Sequence, residues 1–192
     1  MVNKVTTASV IGLNAYRVDV ETDVINSLPG VSIVGLPDAA INEARARVRS
    51  AIKNSNLTFP DKKVVINLAP ADLKKEGTIF DLPIAVGILI EECTIDKEKI
   101  KDYGFAGELS LDGSLRGING VLPIVLGFKE AGIKNVIVPS QNIKEAALVE
   151  EINVYGAETL SDVVNHFLEN PIPPTKINSC LLYTSPSPRD RT

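Results

Sequence analysis

Histidine occurs once and cysteine twice in these 192 residues, and Cys93 and Cys180 lie far apart outside any CxxC pattern. That scarcity excludes a disulfide framework and a zinc site built on paired cysteines. His166 and Cys93 each stand without neighbouring ligands, so no metal site is expected from them. A reducing, cytoplasmic setting is the expectation. No window approaches the roughly 18 to 20 apolar residues that span a bilayer. The opening, MVNKVTTASVIGLNAYRVDV, has no long apolar segment behind a basic one, so a soluble, unexported protein without membrane contact is expected. Positive charge is not in excess either: 20 Lys and Arg against 24 Asp and Glu leave a net charge of -4. Any attraction for nucleic acid must therefore be local. The pattern GxxxxGK[ST] is absent, so neither ATP binding nor another cofactor is expected of this chain.

What is present is a chain that is 44% hydrophobic, long enough to bury one core with some tail to spare. Val5 to Ile11 and Ala15 to Glu21 read as a hairpin turning at Gly12-Leu13-Asn14, and Val31 to Val34 as a further strand. Asp38 can cap a helix to about Asn54 whose buried face is Ile41, Ala44, Val48, Ala51 and Ile52. Lys63 to Leu68 is the next strand. Asp81-Leu82-Pro83 then opens an apolar helix to about Cys93, with Asp81 as its cap. Asp112-Gly113 between β-forming runs predicts a tight hairpin in GELSLDGSLRG. A helix from Gly120 to Ala131, with Val121, Leu122, Val125, Leu126 and Ala131 as its apolar face, ends at Gly132. A strand at Asn135 to Val138, a short helix near Ile143 to Val149, a strand at Val154 to Tyr155 and a helix from Ser161 to Leu168 complete a mixed α/β (α+β) pattern.

Past Glu169 the composition shifts to NPIPPTKIN, whose prolines favour an extended, solvated linker. The expected organisation is one domain over residues 1–170, a proline-rich linker over 171–178 and a tail over 179–192. That tail, CLLYTSPSPRDRT from Cys180 onward, looks like translated adaptor sequence, which makes it a non-native, disordered end.

Three motifs in order carry a resemblance: VSIVGLPDAAINEARARVRSAI, INLAPADLKKEGTIFDLPIAVGIL and GELSLDGSLRGINGVLPIVLGFKEAGIKNVIVP. Together they resemble the amino-terminal domain of magnesium-chelatase-like AAA ATPases of the YifB/ComM type, over roughly residues 1 to 172. The last motif also resembles the proteolytic domain of Lon proteases and its non-proteolytic relatives. The resemblance implies a Lon-protease-domain-like fold of the ribosomal small-subunit protein five second-domain superfamily. It further implies a following AAA module that binds ATP and magnesium, a homo-oligomeric ring as the parent, and DNA processing of the competence or branch-migration type. This chain would be its non-catalytic interaction or regulatory domain.

Candidate site residues follow from two questions. A Lon-type peptidase needs a serine activated by a lysine. On the resemblance the serine position falls at Asp81, or at Ile79 without a gap, and the lysine position near Val121 or Leu122, so both groups are missing. A diverged Ser/Lys peptidase would have to use Ser110 or Ser114. The second question is phosphate binding. Arg45, Arg49 and Lys53 share a helix face at i, i+4, i+8, and with Arg47, Lys74 and Lys75 they form the only basic concentration. Glu43 and Glu76 dilute it and aromatics for base stacking are few, so a solvated face is the expected role. Gly113, Gly117 and Gly120 follow turn spacing, not GxGxxG.

Overall fold

The computed structural model describes residues 1–176; the expected tail, with Cys180, lies outside the described residues. The chain opens with a long antiparallel hairpin, β1 (Val2–Ile11) and β2 (Asn14–Ile25), turning at Gly12-Leu13. Then come β3 (Gly30–Val34), α1 (Ala39–Asn54) and β4 (Lys63–Ala69). A single 3-10 turn at Thr78–Phe80 leads into α2 (Asp81–Glu92), followed by the short α3 (Lys97–Ile100) and β5 (Tyr103–Phe105). The second half holds β6 (Glu108–Leu109), β7 (Leu115–Arg116), α4 (Val121–Glu130), β8 (Asn135–Pro139), α5 (Ile143–Ala146), β9 (Asn153–Ala157) and α6 (Leu160–Phe167).

Seven strands form one mixed sheet in the order β3-β4-β2-β1-β5-β8-β9. β2 runs antiparallel to both β1 and β4, and the remaining neighbours are parallel. Each face is covered. α1, α2 and α6 pack on one side around Val20, Ile66, Leu68, Phe80 and Leu89. α4 and α5 pack on the other around Ala8, Ile124, Phe128 and Val136. β4 shows the consequence of covering one face closely: Val64, Ile66 and Leu68 are fully buried and alternate with half-buried neighbours, as the two-residue strand period requires. β1 lies between both helical layers and is buried continuously from Val5 to Ser9, so its side chains are small or β-branched.

α1 carries the five expected core residues, all at most 1% exposed. In α4 the buried stripe is Val121, Ile124, Val125 and Phe128, whereas Leu126 is 43% exposed. The i, i+3, i+4, i+7 positions face the sheet, and the expected Leu122 and Leu126 fall on the flank beside them. The hairpin turn is also wider than Asp112-Gly113 alone. Ser110 N–H donates to Ser114 O at 2.9 Å and Gly113 N–H to Ser110 O at 3.0 Å, with Gly113 at φ +90°. Gly113 O then accepts from Leu160 N–H at 2.8 Å, which seats this hairpin on the start of α6.

The proline segment lies outside the helices and named strands with Pro171, Pro173 and Pro174 exposed, but it is anchored to the domain at one residue between them and one beyond. Ile172 packs against the core, and Thr175 N–H donates to Val154 O at 2.8 Å on the edge of β9. No helix among the described residues is long and apolar enough to cross a membrane.

Candidate functional site

The residues singled out in the sequence converge where α1 and α2 begin. Asp38 caps α1 as expected, with Oδ1 accepting from Ile41 N–H at 2.8 Å. Its second oxygen accepts from Gly77 N–H at 2.9 Å, so one carboxylate ties the helix start to the loop before α2. The same loop is held by two main-chain bonds, Asp38 N–H to Lys75 O at 3.1 Å and Lys75 N–H to Leu36 O at 3.2 Å.

Lys75 is the first correction. Expected on a solvated basic surface, it is completely buried. Its Nζ donates to Gly35 O at 2.7 Å, to Leu68 O at 2.8 Å and to Pro70 O. Three acceptors match the three protons of an ammonium, and burial pushes its pKa below the ordinary lysine value, with Asp72 opposing that shift. Gly35 has φ +103°, and a Cβ there would meet Leu68 O at 2.3 Å, so the backbone closes tightly around the amine. Lys75 therefore crosslinks three chain segments and cannot reach a nucleic acid.

Asp81 is the second correction. It does not cap α2: its backbone is already helical, at φ -56° and ψ -50°, and α2 has no side-chain cap. Its carboxylate is fully buried and engaged by Arg47 through two bonds, Nε to Oδ2 at 2.9 Å and Nη2 to Oδ1 at 3.1 Å. Leu109 N–H adds a third at 3.1 Å. Arg47 also donates to Ala40 O at 2.7 Å. Burial pushes the Asp81 carboxyl above its ordinary range, opposed by Arg47 and by Leu109 N–H. The hydrogen bond to Asp81 in turn raises the guanidinium. Sequence spacing groups Arg47 with the surface cations and does not show this pair. Its position three residues after Ala44 and four before Ala51, both buried, was the available signal.

Next to the pair lies a cavity of about 270 Å³ lined by Glu76, Thr78, Glu108 and Asn119 among others. Thr78 Oγ donates to a Glu108 oxygen at 2.7 Å. Neither lysine nor histidine lines it. Of Val121 and Leu122, near which the resemblance puts the Lon lysine, Val121 is fully buried in α4 and Leu122 lies on its flank. The alternative nucleophiles serve the hairpin: Ser114 Oγ donates to Asp112 at 2.7 Å, and Ser110 Oγ accepts from Arg116 Nε at 2.6 Å. Among the described residues neither hydroxyl is hydrogen-bonded to a lysine, the base that a Ser/Lys dyad requires.

The remaining basic residues do not form one patch. Arg45, Arg49 and Lys53 are exposed along α1 as their spacing predicts. Arg49 stacks over Phe59 at 5.3 Å, and Arg45 reaches Asn42 O at 3.0 Å. None of the three forms an ion pair with a described residue. Lys74 is exposed and paired with Glu76 at 2.7 Å. It adjoins the start of α1, whereas Lys53 lies in the last turn, and at 1.5 Å per residue about 20 Å separates those ends. Among the described residues no group of three or more His, Cys, Asp or Glu could hold a metal ion.

Residues 20–142 match the family described as "Subunit ChlI of Mg-chelatase". Competence protein ComM of Haemophilus influenzae is 45% identical over 153 residues, covering 80% of this chain and 30% of that protein. The protein YifB of Salmonella typhimurium is 42% identical over 171 residues, covering 86% and 34%. The chain belongs to the magnesium-chelatase-like family of ComM and YifB. It spans about a third of the length of these relatives. Lon protease 2 of Bacillus subtilis is 28% identical over 128 residues, 65% of this chain and 22% of that protein. The ChlI-type domain is thus a Lon-like α/β fold.

Proposed function

We propose that the chain is a non-catalytic interaction or regulatory domain preceding the AAA module of a ring-forming motor that acts on DNA, with ATP and magnesium bound by that module. The observation that carries this reading is the buried Arg47–Asp81 pair, since the resemblance puts the Lon-type nucleophile at Asp81, or at Ile79 without a gap. A carboxylate held by a guanidinium and a backbone N–H is poorly placed to accept a proton from a hydroxyl, and neither Val121 nor Leu122, near the expected lysine position, holds a base. Likeness to a protein named for competence supports DNA as the motor's substrate. The test is the uninterrupted gene product with and without residues 1–170, followed for assembly by sedimentation and for DNA-stimulated ATP hydrolysis. Loss of assembly or of stimulation, with basal hydrolysis kept, is the expected result. Casein cleavage by the chain, or labelling of Ser110 or Ser114 by a serine-reactive probe, would revive the peptidase reading.

A second reading, direct DNA contact by this domain, is favoured by the unpaired cations along α1. Replacing Arg45, Arg49 and Lys53 together with glutamine tests it. If they track phosphates, affinity falls and the slope of log K against log salt shrinks by roughly 0.9 for each lost contact. An unchanged slope at unchanged stability returns this face to solvent.

A further inference from the structure

His166, at the end of α6, stands in an aromatic cluster. The rings of Tyr103, Tyr155 and Phe167 lie 5.4, 4.8 and 5.0 Å from it, centroid to centroid. Both imidazole nitrogens are engaged, in opposite senses. Nδ1 accepts from Ile172 N–H at 2.9 Å, and Nε2 lies 3.0 Å from the Tyr103 hydroxyl. A backbone N–H can only donate, so Nδ1 carries no proton in this arrangement and the ring is the neutral Nε2–H tautomer.

Across this cluster runs the proline segment. Pro171, Ile172, Pro173 and Pro174 border a cavity of about 470 Å³ with Tyr103 and Tyr155. Extended proline segments have no internal hydrogen bonds, so this one is held by what it meets. Its main-chain anchors are Ile172 N–H on His166 and Thr175 N–H on Val154 O. The Ile172 side chain adds an apolar contact with the core.

We propose that Pro171–Thr175 is a strap, latched by neutral His166 and released when that ring takes up a proton, so that pH decides whether the chain leaves the domain along β9 or free of it. Protonation places an N–H on Nδ1 facing the N–H of Ile172, donor against donor. The groups around the ring are the Tyr103 hydroxyl on β5, Tyr155 on β9, and Lys99 and Asp102 at the cavity rim. Lys99 opposes an added positive charge and Asp102 favours it. Burial pushes the ring's pKa below its ordinary 6.5. The latched state therefore binds fewer protons than the released one. Its stability is fully present above about pH 6.5 and declines as the pH falls through the lower, latched value.

The sole histidine of the chain makes the test direct by NMR on the labelled full chain. The Ile172 and Thr175 amides should be protected from exchange at about pH 7.5, and their signals should shift with the same midpoint as His166 as protection is lost. His166→Asn keeps an acceptor near the Nδ1 position without titrating, and should leave both amides protected at about pH 5. Ile172→Pro removes the donor without touching the ring, and by linkage should raise the His166 midpoint towards its free value. Titration of His166 with both amides unchanged would overturn the strap, as would an unmoved midpoint in Ile172→Pro. If His166→Asn does not fold, the unmodified titration and Ile172→Pro still decide.

Discussion

Replacing Arg47 with methionine is expected to destabilise the domain by about 3 to 5 kcal/mol, because it strands a buried carboxylate with only one backbone donor. The same Asp81 placed at a helix cap would contribute only about 0.5 to 2 kcal/mol. Asp81→Asn is therefore informative. A capping asparagine would retain most of the stability, whereas here it turns one bidentate, charge-assisted contact into a mismatched one, since an amide N–H₂ faces the guanidinium. The double change of Arg47 to methionine and Asp81 to leucine removes both charges and should recover much of the loss. Denaturant unfolding of the unchanged domain, Arg47→Met, Asp81→Leu and the double variant, read as a cycle, checks this, with Asp81→Asn measured beside them. A loss of only a few tenths of a kcal/mol for Arg47→Met would show that the pair does not hold the start of α2.

Two adjacent lysines are expected to behave in opposite ways. Lys75→Met removes the cation that satisfies the carbonyls of Gly35, Leu68 and Pro70. Pro70 O keeps a bond from Leu73 N–H at 3.4 Å, so two carbonyls depend on the amine; at about 1 to 3 kcal/mol for each, the loss should be at least about 2 kcal/mol. The carbonyls belong to the loop after β3 and the end of β4, so local opening there should appear first, as faster amide exchange. Lys74→Met loses only an exposed pair with Glu76 and should leave the unfolding midpoint unmoved. Lys75→Arg is not a conservative rescue, because a planar fork cannot direct three donors into so small a space. Equal behaviour of Lys74→Met and Lys75→Met would mean that the buried amine does not crosslink the loop.

The elements legible in the sequence are those in which local chemistry and core packing agree. The α1 stripe, the Asp38 cap, the Gly132 helix end and the Asn135 strand each carry several residues pointing to one conformation, and each stands as expected. β5 and α3 are too short to show a period, at three and four residues. β5 exists because β1 and β8 flank it, a non-local cause that no window of sequence contains.

The same division holds at the site. Motif order alone placed the chain in a Lon-like family and located the segment where a nucleophile would be sought. Which charges are solvated was decided only in three dimensions. Arg45 and Arg47 are two positions apart on one helix, yet the helical turn sends one to solvent and the other to Asp81. Lys74 and Lys75 are neighbours, yet the extended chain between them points one outward and the other into three carbonyls. A charge in the sequence is a residue type; its pairing depends on a partner 34 residues away for Arg47 and, for Lys75, on Gly35 O 40 residues away brought beside the nearer carbonyls of Leu68 and Pro70. The sequence by itself determined the longer elements, the fold class and the family. The tertiary structure decided which ionic groups became part of the core, because burial makes an unpaired charge costly and only the assembled fold supplies the pair.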